Sequence, residues 1–325
     1  MKLIVQIPCL NEEATLSQTV RNIPRTIEGI DEVAILVVDD GSTDRTVEVA
    51  RMLGVDHIVS FNKTKGLAKT FSLGLDTSLK LGADIIVNMD GDNQYRGEDI
   101  PKLIKPVLEG KADIVVGNRQ INTIKHFSLV KKVLQQLGSW VVRKFSDTSI
   151  KDTTSGFRAY SRDAALRLNI VSPFTYTLES IIQAGMKDMN IVQIPIRTNK
   201  PLRKSRLFKS IPSYIRRSIA TIIRMYTMFQ PLKVFFSVGI IFFTFGFFGA
   251  LRFMYYFFTA GGAGHVQSLV ISSILIIIGF LLLMLGLIAD IISFNRRLIE
   301  DILYRVKKIE LDLKSDRENT GEFKG

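Results

Sequence analysis

Three short acidic clusters hold the residue types that could do chemistry in this chain: Pro8-Cys9-Leu10-Asn11-Glu12-Glu13, Val38-Asp39-Asp40-Gly41-Ser42-Thr43-Asp44 and Asn88-Met89-Asp90-Gly91-Asp92-Asn93-Gln94. Each comes at the end of an apolar run of strand length. In the third cluster Asp90 and Asp92 stand two residues apart. In an extended segment side chains at that spacing point the same way, so both carboxylates can converge on one cation, with Gly91 permitting close backbone approach. Carboxylate oxygens without His or Cys suit Mg²⁺ or Mn²⁺, ions that share their coordination shell with phosphate oxygens. In the second cluster Asp39 and Asp40 are adjacent at the end of a buried strand. They repel one another unless something with hydrogen-bond donors, such as a ribose or a base, satisfies them. The first cluster has a plainer reading, in which Asn11 caps a helix and Glu12 and Glu13 favour its positive end. Ser42 or Thr43 can also cap, and Gly41 can turn.

The elements that must position these clusters read as alternating strands and helices. Strand-length apolar runs recur at 3–7, 34–38, 57–61, 85–89, 114–117 and 191–196, with helical patterns at 44–53, 65–81 and 99–109. Buried runs separated by helices predict a largely parallel α/β sheet covered on both faces, and such sheets bind ligands beyond the carboxyl ends of their strands.

Composition sets the outer limits. With 46% hydrophobic and 23% charged residues among 325, disorder and a collagen-like repeat are excluded. Forty-three Lys and Arg against 31 Asp and Glu give a net charge of +12, which implies a polyanionic partner. Much of that charge flanks the greasiest stretch, at Arg203, Lys204, Arg206, Lys209, Arg216, Arg217, Arg224 and Lys233, then at Arg296, Arg297, Arg305, Lys307 and Lys308. This favours a lipid bilayer over nucleic acid. The single cysteine, Cys9, forms no intrachain disulfide, and one Cys with three scattered His builds no zinc cluster, which predicts a cytoplasmic catalytic part.

Between Lys233 and Arg252 lie 18 uncharged residues, roughly 27 Å of helix, and residues 266–289 carry no charge at all. Two transmembrane helices are predicted, over about 233–258 and 266–290. Their linker lacks Lys and Arg while both outer flanks are rich in them, so the positive-inside rule puts both termini in the cytoplasm. Arg252 snorkels outward or faces a neighbouring helix. Residues 1–8 reach a proline too soon for a signal peptide and read as a strand. The resulting organisation is a catalytic domain over 1–207, an amphipathic interfacial helix over 208–230, two membrane helices within 231–294 and a charged tail over 295–325 whose last residues, 315–325, are frayed.

Taken in order and spacing, P-C-L-N-E, V-D-D-G-S-T-D and D-G-D-N-Q resemble the GT-A type family 2 glycosyltransferases, over roughly residues 2–210. Gly117-Asn118-Arg119 resembles the family's G-x-R, and Thr154-Ser155-Gly156-Phe157-Arg158 its S-G-F-R acceptor-side loop. With two trailing membrane helices, the closest group is the polyprenyl-phosphate glycosyltransferases related to dolichol-phosphate mannose synthases. The resemblance implies that Pro8, Leu10, Glu12 and Asp39 line a nucleoside pocket with Asp40 supporting it. It implies that Asp90 and Asp92 flank the donor diphosphate, with Asp90, Asp92 and Gln94 as metal residues, and that Arg119 faces phosphates. Candidates for the acceptor phosphate are Ser155, Arg203 and Arg206, which lie in segments that resemble family motifs, and the basic pair Lys131 and Lys132, which is read from its charge and has a solvated helix face as its plainer reading. The implied reaction is inverting transfer from a nucleotide-sugar, either a UDP-sugar or GDP-mannose, to a polyprenyl phosphate on the cytoplasmic face of the plasma membrane. A homo-oligomer is also implied, with a tetramer as one form.

This sequence departs from the family at three places. Leu10 stands where an aromatic residue is common, Tyr95-Arg96-Gly97-Glu98 replaces a proline-rich segment, and Arg203-Lys204-Ser205-Arg206-Leu207 lacks the glycine of G-K-S-K-L. Two readings compete. A processive polysaccharide synthase would carry Q-x-x-R-W, whereas the sole tryptophan, Trp140, follows Ser139. A membrane-tethered nucleotide-sugar scaffold without turnover would have no need of Asp90, Asp92, Gln94 and Arg119 together.

Overall fold

A computed structural model describes residues 1–120, 143, 148–172, 175–199, 211–261 and 266–320. Seven strands, β1 (Lys2–Cys9), β2 (Glu32–Asp39), β3 (His57–Ser60), β4 (Ile85–Asn88), β5 (Ile114–Asn118), β6 (Arg158–Ser161) and β7 (Ile191–Pro195), form one sheet in the order β3-β2-β1-β4-β6-β5-β7. All pairs are parallel except those of β6, which runs antiparallel to β4 and β5. The interiors of β1, β2 and β4 are rich in Val, Ile and Leu and buried on both faces, as helix-covered parallel strands require, with the buried Gln6 the polar exception in β1.

The covering helices are α1 (Leu16–Arg21), α2 (Thr46–Met52), α3 (Leu67–Lys80), α4 (Ile100–Leu108), α5 (Arg162–Arg167) and α6 (Tyr176–Met186). Helix α3 buries Ala68, Phe71, Leu75 and Leu79, a spacing of three and four that lines one face, and Phe71 stacks on Tyr176 of α6 with ring centroids 3.9 Å apart. The predicted α/β sheet with helices on both faces is therefore present. Strand β6 was not foreseen, because it opens on the buried Arg158 and leaves only Ala159 and Tyr160 as an apolar run.

The register brings the chemistry together. Cys9 pairs with Asp39 and Gln6 with Asn88, so β1, β2 and β4 end side by side. Since β6 is antiparallel, its first residue, Arg158, pairs with Asn88, and the loop before it arrives at that same edge.

The chain divides into two compact units, Met1–Ile222 with Tyr304–Gly325, and Ile223–Leu303. The second contains the end of α7 (Ile211–Phe229), all of α8 (Pro231–Ala260) and much of α9 (Val266–Thr320). Helices α8 and α9 are both long and apolar enough to cross a membrane, and their large apolar side chains are mostly exposed. They pack antiparallel through small residues. A Cβ on Gly246 would lie 2.8 Å from the Ile276 backbone nitrogen, and one on Gly239 would lie 3.0 Å from the Gly279 carbonyl. Helix α9 runs unbroken for 55 residues, without Gly or Pro after Gly286 to end it, so the expected tail continues the second span as helix as far as Thr320.

Candidate active site

The loops after β1 and β2 interlock. Asn11 adopts a left-handed backbone (φ 56°), donates its N–H to Ser42 Oγ (2.9 Å) and accepts from the Thr43 N–H through Oδ1 (2.8 Å). It therefore caps no helix, and α1 begins only at Leu16. Ser42 and Thr43 do not cap α2 either; Asp44 Oδ1 accepts from the Thr46 N–H there (3.0 Å). The buried Glu12 carboxylate accepts from Thr15 Oγ1 (2.8 Å), whose hydroxyl also reaches the Gly91 carbonyl (2.9 Å), tying the first cluster to the third. Pro8 is a buried strand position paired with Val38, and Leu10 is exposed at the rim.

Asp39 and Asp40 do not depend on a ligand for donors. Both oxygens of Asp39 lie 3.2 Å from the Ser42 N–H, and Asp40 accepts from the Lys65 N–H (2.7 Å) and the Gly66 N–H (2.9 Å). Backbone amides thus satisfy the adjacent pair, and Asp40 pins the residues leading into α3.

Asp90, Gly91 and Asp92 lie in a turn rather than the extended segment expected, because β4 ends at Asn88 and the Gly91 carbonyl is held by Thr15 and Thr19. The two carboxylates remain close enough to interact. Burial and then the Asp92 charge push the Asp90 carboxyl up to about 7, against the opposing pull of Arg119 and Arg158. A divalent cation between the two carboxylates would relieve that repulsion, so this pair fits one. Among the described residues no group of three His, Cys, Asp or Glu side chains converges, so two carboxylates would share an ion with phosphate oxygens rather than cage it. Asp92 Oδ1 accepts from the Gln94 N–H (3.0 Å), which fixes the turn.

The loop before β6 closes onto Asp90. A Cβ on Gly156 would lie 2.9 Å from both Asp90 oxygens and from the Tyr176 hydroxyl, so only glycine fits without displacing them. Asn88 donates through Nδ2 to the Gly156 carbonyl and to Tyr176 (both 2.8 Å), and the Gly156 N–H donates to the Tyr95 hydroxyl (3.0 Å). Burial pushes Tyr95 up to about 12 and Tyr176 well above its ordinary value, so both hydroxyls stay protonated. Fully buried Arg158 donates to the carbonyls of Thr153 and Ser155 (2.8 Å each) and to Ser180 Oγ (2.7 Å), which shapes the loop from within. The Ser155 hydroxyl is buried and has no hydrogen-bond partner among the described residues.

Arg119, just beyond β5, forks onto Asp152 through Nε and Nη2 (2.8 Å each), with Nη2 also 2.7 Å from Thr154 Oγ1. Burial raises the Asp152 carboxyl, and the guanidinium more than reverses this, holding it below the usual range. Cys9 is buried against Gly91 and its thiol is pushed well up, by burial first and then by Glu12, which makes it an inert packing residue.

Ten of the residues singled out from sequence, Pro8, Leu10, Glu12, Asp39, Asp40, Asp90, Asp92, Gln94, Arg119 and Ser155, lie in strand ends and loops at one sheet edge. Lys131, Lys132, Arg203 and Arg206 fall outside the described residues. Asn88, Tyr95, Asp152 and Tyr176 were missed. Asp152 stands four residues before Gly156 and could have been flagged as a partner for Arg119, whereas Tyr176 carries no local signal.

A glycosyl transferase family 2 model matches residues 4–168. The UDP-N-acetylglucosamine–dolichyl-phosphate N-acetylglucosaminyltransferase of Methanococcus voltae is 28% identical over 216 residues, covering 59% of this chain and 83% of that one. The polyprenol monophosphomannose synthase of Mycolicibacterium smegmatis is 27% identical over 206 residues, covering 60% and 76%. Glucosyl-3-phosphoglycerate synthase from Mycobacterium tuberculosis, solved with Mn²⁺, UDP-glucose and phosphoglyceric acid, superposes with a TM-score of 0.57 at 21% identity over 69% of this chain and 79% of that one. That likeness shows the GT-A type of sheet. The chain belongs to glycosyl transferase family 2 and is a glycosyltransferase.

Proposed function

We propose that this enzyme transfers a single sugar from a nucleotide-sugar, a UDP-sugar or GDP-mannose, to a polyprenyl phosphate at the cytoplasmic face of a membrane, with inversion. The observation that carries this reading is the contact of Asp90, the first acid of the D-x-D turn, with Gly156 of the T-S-G-F-R loop. It joins a phosphate-compatible carboxylate pair to a second loop, in a chain that also has two membrane-length helices. The named relatives from M. voltae and M. smegmatis support a polyprenyl phosphate acceptor, and their different sugars leave the donor open between the two classes.

In this reading Pro8, Leu10, Glu12 and Asp39 line the nucleoside pocket, and Asp40 supports it through its hold on the start of α3. Asp90 and Asp92, with Gln94, hold Mg²⁺ or Mn²⁺. When bound, such an ion neutralises charge developing on the departing nucleoside diphosphate. The acceptor phosphate, with a second ionisation near ~6, arrives largely as a dianion, so no strong general base is needed. The protein's task is alignment of two anionic partners. Arg119 is a positioning residue. Its Nε and Nη2 hold Asp152 and Thr154 of the acceptor-side loop, leaving Nη1, without a partner among the described residues, for a phosphate oxygen. The unpartnered Ser155 hydroxyl is a second donor for that phosphate, joined by Lys131, Lys132, Arg203 and Arg206.

Helix α7 supports bilayer attachment. Ile219 and Ile223 are exposed alongside Arg216, Arg217 and Arg224, while Ile222, Met225 and Phe229 are buried. The test is Asp92→Asn, assayed by nucleotide release at saturating metal. Turnover falls by about 100-fold or more with little change in thermal stability, as removal of a charge-stabilising group requires. Full activity in that variant refutes the assigned role.

A further inference from the structure

Tyr95-Arg96-Gly97-Glu98, the segment that departs from the family's proline-rich pattern, makes its contacts with the chain that leaves β7. Tyr95 and Thr198 form an antiparallel bridge, and the Arg197 N–H donates to buried Asp99 Oδ2 (3.1 Å). Next to that bridge, Asn199 commits three polar groups to three residues of the facing turn. Its N–H donates to the Gln94 carbonyl (2.9 Å), its Nδ2 donates to the Asn93 carbonyl (3.0 Å), and its Oδ1 accepts from Arg96 Nε (3.1 Å). The Arg96 contact decides which end of the amide faces the turn, because a guanidinium only donates and so takes Oδ1, leaving Nδ2 for the carbonyl.

The peptide group between Asn93 and Gln94 is therefore held at both ends. Its carbonyl accepts from Asn199, and its N–H is the one that donates to Asp92 Oδ1 (3.0 Å). A trans peptide is planar, so its C=O and N–H point opposite ways and fixing one direction fixes the other. Asn199 thus acts on the Asp92 carboxylate through one rigid plane. The turn needs this support, since Asn93 is buried with a left-handed backbone (φ 56°), less favourable than the right-handed one even for asparagine. Asn22, at the end of α1, holds Asn93 from the other side through Nδ2 to Oδ1 (3.3 Å). Gly97 has no Cβ to overlap the Asn22 carbonyl.

We infer that Asn199 is a positioning residue for the metal turn, orienting the Asp92 carboxylate without touching the ion. The inference rests on the proposed role of Asp90 and Asp92 as holders of a divalent cation. Groups that orient a metal's ligands typically change its affinity by about 10–100-fold when removed.

Mn²⁺ binding to the full-length protein, read from the electron paramagnetic resonance signal of the free ion with UDP or GDP present, tests it. Asn199→Ala weakens binding by about tenfold or more. Asn199→Asp keeps the acceptor for Arg96 but loses the donor to Asn93, and it weakens binding too, although an added negative charge by itself favours a cation. Thr198→Ala changes nothing, because Thr198 meets Tyr95 through its backbone. In metal-free protein, hydrogen exchange over 92–96 accelerates by up to about tenfold in Asn199→Ala, as loss of one hydrogen bond allows, while β1 and β4 keep their protection.

Asp92→Asn is the reference for the site itself. If it abolishes Mn²⁺ binding while either Asn199 variant binds as the native protein does, the turn holds the ion and Asn199 does not position it. Faster exchange in β1 and β4 as well would make Asn199 an ordinary structural contact and overturn the inference. If the native protein and Asp92→Asn bind Mn²⁺ equally, or neither binds it, the metal reading of the turn falls and the inference falls with it.

Discussion

Gly156 has no room for a side chain, and what crowds it is the Asp90 carboxylate and the Tyr176 hydroxyl. Gly156→Ala must move one or both, at a cost of about 1–3 kcal/mol typical of overpacking. Both the melting temperature and kcat should fall, with kcat falling further than a stability loss alone explains; an active variant with normal kcat would separate the loop from the chemistry. The Arg119–Asp152 pair makes a pH prediction. Asp152 is held below its unfolded value of ~3.9, so its contribution is complete above that value and is lost as pH falls through the lower folded value. Melting temperature measured downward from pH 5 should therefore drop less steeply in Asp152→Asn than in the native protein, and parallel curves would contradict the pairing. The acids of the site were legible because their spacing and their place after apolar runs are local properties. Their partners were not: Arg119 and Asp152 are 33 residues apart and Asn88 and Tyr176 are 88 apart, and no local pattern encodes such meetings.

At the scale of elements, Asp40 acts on α3 rather than on a ligand. Its carboxylate accepts from the two amides that lead into the helix, so Asp40→Ala leaves them unsatisfied at about 1–3 kcal/mol. Hydrogen exchange should accelerate over 65–70 in that variant, more than over β4, and unchanged protection there would show that water replaces the carboxylate. Six of the seven strands end within two residues of the apolar runs that predict them at both ends, since buried parallel strands must be mostly apolar. Strand β6 escaped because it begins with Arg158, whose guanidinium is buried with its donors satisfied by carbonyls and a hydroxyl rather than excluded from the core. Asn11 misled for a related reason. A residue type that caps helices also tolerates the left-handed backbone, and here it joins two loops.

For the whole molecule, one sheet edge collects four loops, and the same chain contains two helices of membrane length and a net charge of +12. These features cohere if the acceptor is itself an amphiphile with an anionic head, because an enzyme confined to a surface searches two dimensions for a lipid and gains nothing for a soluble acceptor. The most direct test offers the purified full-length protein a panel of UDP-sugars and GDP-mannose with Mg²⁺ or Mn²⁺, together with either a polyprenyl phosphate or 3-phosphoglycerate, and weighs the products by mass spectrometry. The result expected is one hexose-type sugar added to the polyprenyl phosphate and none to the soluble acid. Transfer to 3-phosphoglycerate instead, or no lipid product with any donor, would contradict it.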